Sequence, residues 1–390
     1  MFTDYYFPEL GGIQDSVAIT SRALARRGHQ VDIYAPRYSR RDYRQVGAPV
    51  CERDLGAGVR VRRRPSIGFP SSTRQSRVAL PSAIGWAGLT GSRRPDLIHA
   101  HSFFGIGLEA ILTAGLLKIP VIGTNHTTVA GFGPHIPFSV ERASAYVTWF
   151  YNRCDYVTAP SRSVFEELGP QHLRRPGRVI SNPIDTEMFR PADLAEGTRL
   201  RAELGICAPT ITYAGRLGPE KNIDVLLHAV AALRERGVMA GLAIAGHGSH
   251  EPTLRALAVQ LGIAPQIKFL GTLSQPDLAQ LLRISDTFAI MSTSETQSMV
   301  LLQAMASGIP VVAADTRALP EFVSPASGVL VDPHDPQRLA CVLGALLASP
   351  DRRRQLGSGG RKAVRKYGVE LVTDEWETLY RSVLHRSSAA

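Results

Sequence analysis

The sequence predicts an α/β protein of two domains, each a parallel sheet with helices on both faces. Three observations carry this. Short apolar runs recur, and each ends in a polar or Gly-rich turn that opens a helical stretch. Runs and helices alternate along the chain, as parallel strands joined by helical crossovers require. A length of 390 residues exceeds what a single core usually fills.

The first domain is expected over 1–183. Only Met1 and Phe2 precede Thr3-Asp4, so its first strand is short. A central strand of two or three residues is expected to leave neighbouring backbone groups unpaired. A native start further upstream, with more apolar residues, is therefore an expectation. Gly11-Gly12 then opens a helix over Ile13 to Arg27, which Gly28 ends. A glycine pair before a helix lets backbone approach a ligand closely, and it also serves a plain tight turn.

Gln30 to Ala35 reads as the second strand. Residues 37–94 hold 13 Arg against Asp42, Glu52 and Asp54. Arg60, Arg62, Arg63 and Arg64 lie within it, followed by Phe69, Ile84, Trp86 and Leu89. Two readings stand: a solvated basic face, or contact with anionic headgroups at roughly 1 kcal/mol per basic residue. Asp96 to His101 and Val121 to Thr127 are strands whose carboxyl ends carry His101 and then Asn125 with His126. A histidine there serves structure or a ligand. Ser139 to Arg153 is an amphipathic helix, Asp155 to Pro160 a strand, and Asn182-Pro183 a turn at the domain boundary.

The second domain, 184–365, opens with the strand Thr210 to Ala214 and the turn Gly215-Arg216-Leu217-Gly218-Pro219-Glu220-Lys221-Asn222. Leu242 to Ala245 is a strand entering Gly246-His247-Gly248. Ile267 to Gly271 and Ile309 to Ala314 flank a further strand ending at Met291. The polar turn Ser292-Thr-Ser-Glu295 follows, then a helix from about Ser298 to Ala306 that Gly308 stops. Glu295 and Gln303 are eight residues apart, about 12 Å if all of that were helix. Unpaired N–H groups at Met299 and Val300 suit a phosphate. The tail, about Arg361 to Val383, reads as helical.

Composition excludes several classes. No apolar run approaches the roughly 18–20 residues of a spanning helix. Cys51, Cys154, Cys207 and Cys341 have no metal-type or disulfide spacing, so a reducing cytoplasm is the default. Residues 1–190 carry 24 Lys or Arg against 15 Asp or Glu, so most of the net charge of +10 lies in the first half. No nucleic-acid recognition motif accompanies that charge, and nucleic acid is not expected as a partner.

The order of these motifs resembles family 4 of the retaining glycosyltransferases, which have the GT-B fold of two Rossmann-like domains facing a cleft. The resemblance covers about residues 1–385, and it implies that a last helix, about 366–390, packs back onto the first domain. It rests on Gly11-Gly12, His101, Gly215-Arg216, Glu220-Lys221-Asn222 and Glu295 followed by Ala304-Met-Ala-Ser-Gly308. It implies transfer of a hexose from a nucleotide sugar, UDP-glucose favoured, to an acceptor hydroxyl. His101 and Glu295 would hold the donor sugar, and Arg216 and Lys221 would neutralise the leaving diphosphate. Gly11, Gly12, Gly215, Gly246, Ser298, Met299 and Val300 would line the donor. Gln303 stands where the family has a glutamate on the ribose, and Ser298 where it usually has Gly. No cofactor and no metal are implied. Asn125 to Phe132 and Ser294 to Ser298 are similar to bacterial diacylglycerol glucosyltransferases. The resemblance thus implies a lipid acceptor, with Asn125 and His126 on the acceptor side, at the inner face of the cell membrane. A soluble acceptor, or a silent sugar-nucleotide-binding protein, is the alternative.

Overall fold

The structure is a computed structural model that describes residues 1–389 except 10, 69–76, 80–93, 129–138, 170–171, 204 and 206–208. The chain forms two compact units, Met1–Pro183 with Val369–Ala390, and Ile184–Gly368.

The first unit runs α1 (Gly12–Arg26), β1 (Val31–Pro36), α2 (Arg40–Gln45), β2 (Val59–Arg64), β3 (Ser66–Gly68), β4 (Arg77–Ala79), β5 (Ile98–Ala100), α3 (Gly105–Leu117), β6 (Val121–Thr124), α4 (Val140–Tyr151), β7 (Tyr156–Ala159), α5 (Arg162–Glu166) and β8 (Gly177–Val179). The second runs α6 (Leu194–Glu203), β9 (Thr210–Ala214), α7 (Ile223–Glu235), β10 (Gly241–Ala245), α8 (Glu251–Gln260), β11 (Ile267–Gly271), α9 (Gln275–Ile284), β12 (Thr287–Ile290), α10 (Met299–Ala306), β13 (Val311–Ala314), β14 (Gly328–Val331), α11 (Pro336–Ala348) and α12 (Pro350–Val364). A last helix, α13 (Val369–Ala389), belongs to the first unit. Ser39, Ser139, Ser161, Ser274 and Ser349 cap their helices through side-chain oxygens.

In the first unit β1 and β2 pair in parallel, and β5, β6, β7 and β8 form a parallel sheet in that order. Phe2 joins the two pieces by bridging Tyr34 and Ala100. The short first strand is paired on both sides. The Phe2 N–H donates to the His99 carbonyl at 2.8 Å, the Thr3 N–H to Tyr34 at 3.0 Å, and the His101 N–H to Phe2 at 2.8 Å. Counting Phe2 as the first strand, the order reverses between it and β5.

The second sheet has the order β11-β10-β9-β12-β13-β14, all parallel. Relative to its own first strand this is 3-2-1-4-5-6, the doubly wound dinucleotide-binding order. Its strands β9, β12 and β13 read as continuous buried runs because helices cover both faces.

One expected element differs. The tail is two helices, because a short 3-10 turn and an extended Gly368 separate α12 from α13. The helix expected from about Ser298 is present as α10 from Met299, so the 12 Å figure, which holds only for a fully helical Glu295–Gln303, does not apply. On α13, Trp376, Leu379 and Val383 are buried against Ile122 and Ile180. Each such side chain contributes roughly 1.5–3 kcal/mol on burial. Arg27, at the end of α1, pairs with Glu370, Asp374 and Glu377 of α13.

Candidate active site

In the second unit β9 and β12 are neighbours at the point where strand order reverses, and ligands bind outside the carboxyl ends of such strands. The turn Gly215–Asn222 leaves β9 there, and Met291–Ser298 leaves β12. Glycine is required at this end for close packing. Gly246 has φ +143°, and a Cβ on it would fall 1.8 Å from the Gly215 carbonyl oxygen. Gly246 therefore presses on the Gly215 loop and fixes its height above the sheet. Asn222, in the left-handed region at φ +47°, donates from its side chain to the Met291 carbonyl at 3.0 Å and ties the two loops together.

Lys221 and Glu295 meet at 2.6 Å, each side chain 13% exposed. The Lys221 ammonium also reaches the Ser292 and Ser294 hydroxyls, each at 3.3 Å. Burial pushes the Glu295 carboxyl up, but the Lys221 charge and hydrogen bond, the Ser292 hydroxyl and the Arg216 charge outweigh it. The carboxyl is held below its ordinary range and stays ionised. Arg216 pairs with Glu220 at 2.5 Å. Its side chain is 38% exposed, so it is placed by that pair while open to solvent.

Ser298 caps the start of α10 from the left-handed region, at φ +63°. That conformation is the reason Gly is usual there, since a Cβ in it is strained. Its hydroxyl is buried without a hydrogen-bond partner. An orphan hydroxyl beside the first-turn N–H groups of Met299 and Val300 is an arrangement that a phosphate oxygen satisfies. Gln303, one turn further and 3% exposed, donates from its amide to the Gln275 side-chain carbonyl at 3.0 Å.

In the first unit Gly11 and Gly12 open α1 at the corresponding reversal point, with Gly11 extended. His101 follows β5, its Nδ1 3.1 Å from the Nε2 of His126. The His99 ring lies against His101 with centroids 3.9 Å apart and is held by the Tyr380 hydroxyl at 2.8 Å and the Thr124 hydroxyl at 2.6 Å. Burial, helped by the neighbouring imidazoles, holds His99 and His101 well below the usual histidine range. Burial lowers His126 to about 4. All three are neutral at pH 7, so they can donate and accept hydrogen bonds but carry no charge. Asn125 uses its carbonyl oxygen internally, accepting from the Thr127 N–H at 3.3 Å and the Tyr151 hydroxyl at 3.4 Å. Phe132 lies outside the described residues.

The basic segment corrects one reading. Arg63 is 11% exposed and bonds Glu52 at 2.7 Å, with the Phe7 and Pro36 carbonyls also taken. Arg64 is 12% exposed, paired with buried Glu109 at 2.7 Å and stacked over Tyr34. These two guanidinium groups cross-link the unit and cannot reach headgroups. Arg62 pairs with Asp32 at 3.0 Å, and Arg60 is exposed. Phe69, Ile84, Trp86 and Leu89 lie outside the described residues.

The sequence did not point to Ser292, Ser294, His99 or Gln275 as contacts of these side chains. Among the described residues no group of three His, Cys, Asp or Glu side chains is placed to hold a metal ion. No helix among them is long and apolar enough to cross a membrane.

Comparison with known proteins agrees with this arrangement. Residues 10–188 match the model "Glycosyltransferase Family 4", and residues 200–363 match "Glycosyl transferases group 1". A D-inositol 3-phosphate glycosyltransferase of Corynebacterium efficiens is 30% identical over 95% of this chain and 90% of its own. The chain belongs to the family 4 glycosyltransferases. An alpha-monoglucosyldiacylglycerol synthase of Streptococcus pneumoniae is 29% identical over 90% of this chain and 78% of its own. The sucrose-phosphate synthase structure from Thermosynechococcus elongatus superposes with a TM-score of 0.79 at 20% identity, covering 99% of this chain and 96% of that one. The fold of this family 4 glycosyltransferase is GT-B, and its activity class is hexosyl transfer.

Proposed function

We propose that this glycosyltransferase moves a hexose, with retention, from a nucleoside-diphosphate sugar to a hydroxyl of a lipid acceptor at an anionic membrane surface. UDP-glucose is the favoured donor. The observation that carries the donor half is the Lys221–Glu295 pair at the β9/β12 reversal point, beside exposed Arg216 and the orphan Ser298 hydroxyl. Arg216, Lys221 and the α10 N–H groups would take the charge that builds on the departing diphosphate. Glu295 would hold the sugar hydroxyls and Gln303 the ribose. His101, neutral, would hydrogen-bond the donor sugar.

Retention is carried by the family resemblance, and the state of Glu295 bears on which retaining route is proposed. A carboxylate locked to Lys221 is not free to act as the covalent nucleophile of a two-step displacement. Front-side attack, with the leaving phosphate taking the acceptor proton, needs no such nucleophile.

The acceptor half rests on the similarity to the diacylglycerol-modifying relative and on the outer face of α3. Leu112 and Leu116 there are 51% and 58% exposed, with exposed Lys118 and Arg94 at the helix end. Apolar side chains rimmed by cations suit an anionic interface. The inositol-phosphate relative favours a second reading, a small phosphorylated acceptor in solution.

The test is transfer from UDP-glucose to diacylglycerol in anionic vesicles, with the anomeric configuration of the product read by NMR. A glycolipid of retained configuration is expected. Glycosylation of free inositol phosphate with none of the lipid selects the second reading, and an inverted product sinks the front-side mechanism.

A further inference from the structure

We propose that Gln275 is a positioning residue that orients the Gln303 amide for nucleoside binding. This rests on the reading of Gln303 as the ribose ligand. A carboxylate at position 303 would present two equivalent oxygens, so either way round it could accept from a ribose hydroxyl. An amide has no such symmetry, since one end accepts and the other donates. Replacing the glutamate by glutamine therefore creates a need that the glutamate did not have: something must fix which end faces the ligand.

Gln275 meets that need. The Gln303 amide nitrogen donates to the Gln275 side-chain oxygen at 3.0 Å. The nitrogen is thereby committed toward α9, and the Gln303 carbonyl oxygen is turned away from Gln275. Gln303 is 3% exposed, which leaves its side chain little room for other rotamers. Gln275 is itself well anchored. It is the first residue of α9, where the Ser274 hydroxyl caps the Asp277 N–H and Pro276 stiffens the turn. α9 follows β11 and α10 follows β12, so two separate loops of the sheet combine in one neutral device: an amide given a direction.

The experiment measures UDP and GDP binding to the full chain by isothermal titration calorimetry, with thermal melting as the fold control. Gln275→Leu is expected to weaken the nucleotide about tenfold, the worth of one buried hydrogen bond. Gln275→Glu keeps an acceptor for the amide and is expected to restore affinity to within about twofold of the parent. Combined with Gln303→Glu, however, Gln275→Glu sets two carboxylates face to face, and the loss is expected to exceed the sum of the single changes. Gln275→Leu binding as tightly as the parent overturns the proposal. So does a Gln275→Glu variant no better than Gln275→Leu, because a merely structural side chain would not distinguish them. The ribose assignment is judged separately: unchanged nucleotide affinity in Gln303→Leu removes it, whatever Gln275 does.

Discussion

Removing the Lys221 ammonium tests the donor site most directly. Its nitrogen lies 2.6 Å from Glu295, and both side chains are 13% exposed. Lys221→Ala has two separable consequences. The first concerns the chemistry. One preorganised charge facing a developing anion is worth about 2.7–4 kcal/mol, so turnover is expected to fall by a factor of about 10² to 10³. The second concerns the folded state. Breaking a buried ion pair by deleting one partner costs about 3–5 kcal/mol, and the 13% exposure favours the lower end. At about 2–4 °C per kcal/mol for a unit of this size, the melting temperature should drop by roughly 6 to 12 °C.

The pH profile supplies an independent sign. In the parent the folded Glu295 pKa is depressed, so its contribution is present above the ordinary glutamate range and is lost as pH falls through the lower folded value. Without Lys221, burial is the dominant influence, the carboxyl moves up, and the sign reverses. The variant then loses stability as pH rises through the ordinary range. Single-turnover transfer and a pH series of melting curves read the two effects. Turnover within about threefold of the parent, together with superimposable pH profiles, would refute the reasoning.

Further expectations are as follows. Arg216→Ala should lower transfer at least about a hundredfold in steady-state assays, with little change in melting because the Arg216–Glu220 pair is only half-buried. Gln303→Glu should tighten donor binding in a calorimetric titration, since a carboxylate makes the stronger charge-assisted bond to ribose hydroxyls; unaltered or weaker binding would displace Gln303 from the ribose. Ser298→Gly should stabilise the protein by roughly 1 kcal/mol through relief of the left-handed Cβ, while donor affinity falls because the orphan hydroxyl is gone. A stabilised variant with undiminished affinity would show the hydroxyl to be idle. Transfer should survive EDTA if Arg216 and Lys221 take the diphosphate as proposed; loss of activity restored by manganese would contradict this.

Much of the fold was legible because fully buried parallel strands leave continuous apolar runs, and Thr210 to Ala214 or Ile309 to Ala314 can be read off directly. Arg216, Lys221 and Glu295 were legible as chemistry at strand ends. What stayed hidden depends on strand order. Ser292 and Ser294 bond Lys221 across more than 70 residues, and only the pairing of β9 with β12 brings them together. Arg63 and Arg64 read as surface charge for the same reason: Glu52 and Glu109 become their partners once β2 lies against β1 and α3 covers the sheet. The helix expected from about Ser298 is α10, starting at Met299, but the left-handed backbone of Ser298 is something its side chain does not advertise.

The placement of α13 bears on how the chain is made. Ile122 and Ile180 lie in the part synthesised first, yet Trp376, Leu379 and Val383, which cover them, come last. At roughly 5–20 residues per second on the ribosome, the intervening second unit takes on the order of 10 to 40 s to emerge. During that interval the first unit is a sheet with an uncovered apolar face, while the second has every element it needs to close its own core. The unit begun first is therefore the one finished last, and its unfinished apolar face is the aggregation-prone surface of the nascent chain during that interval.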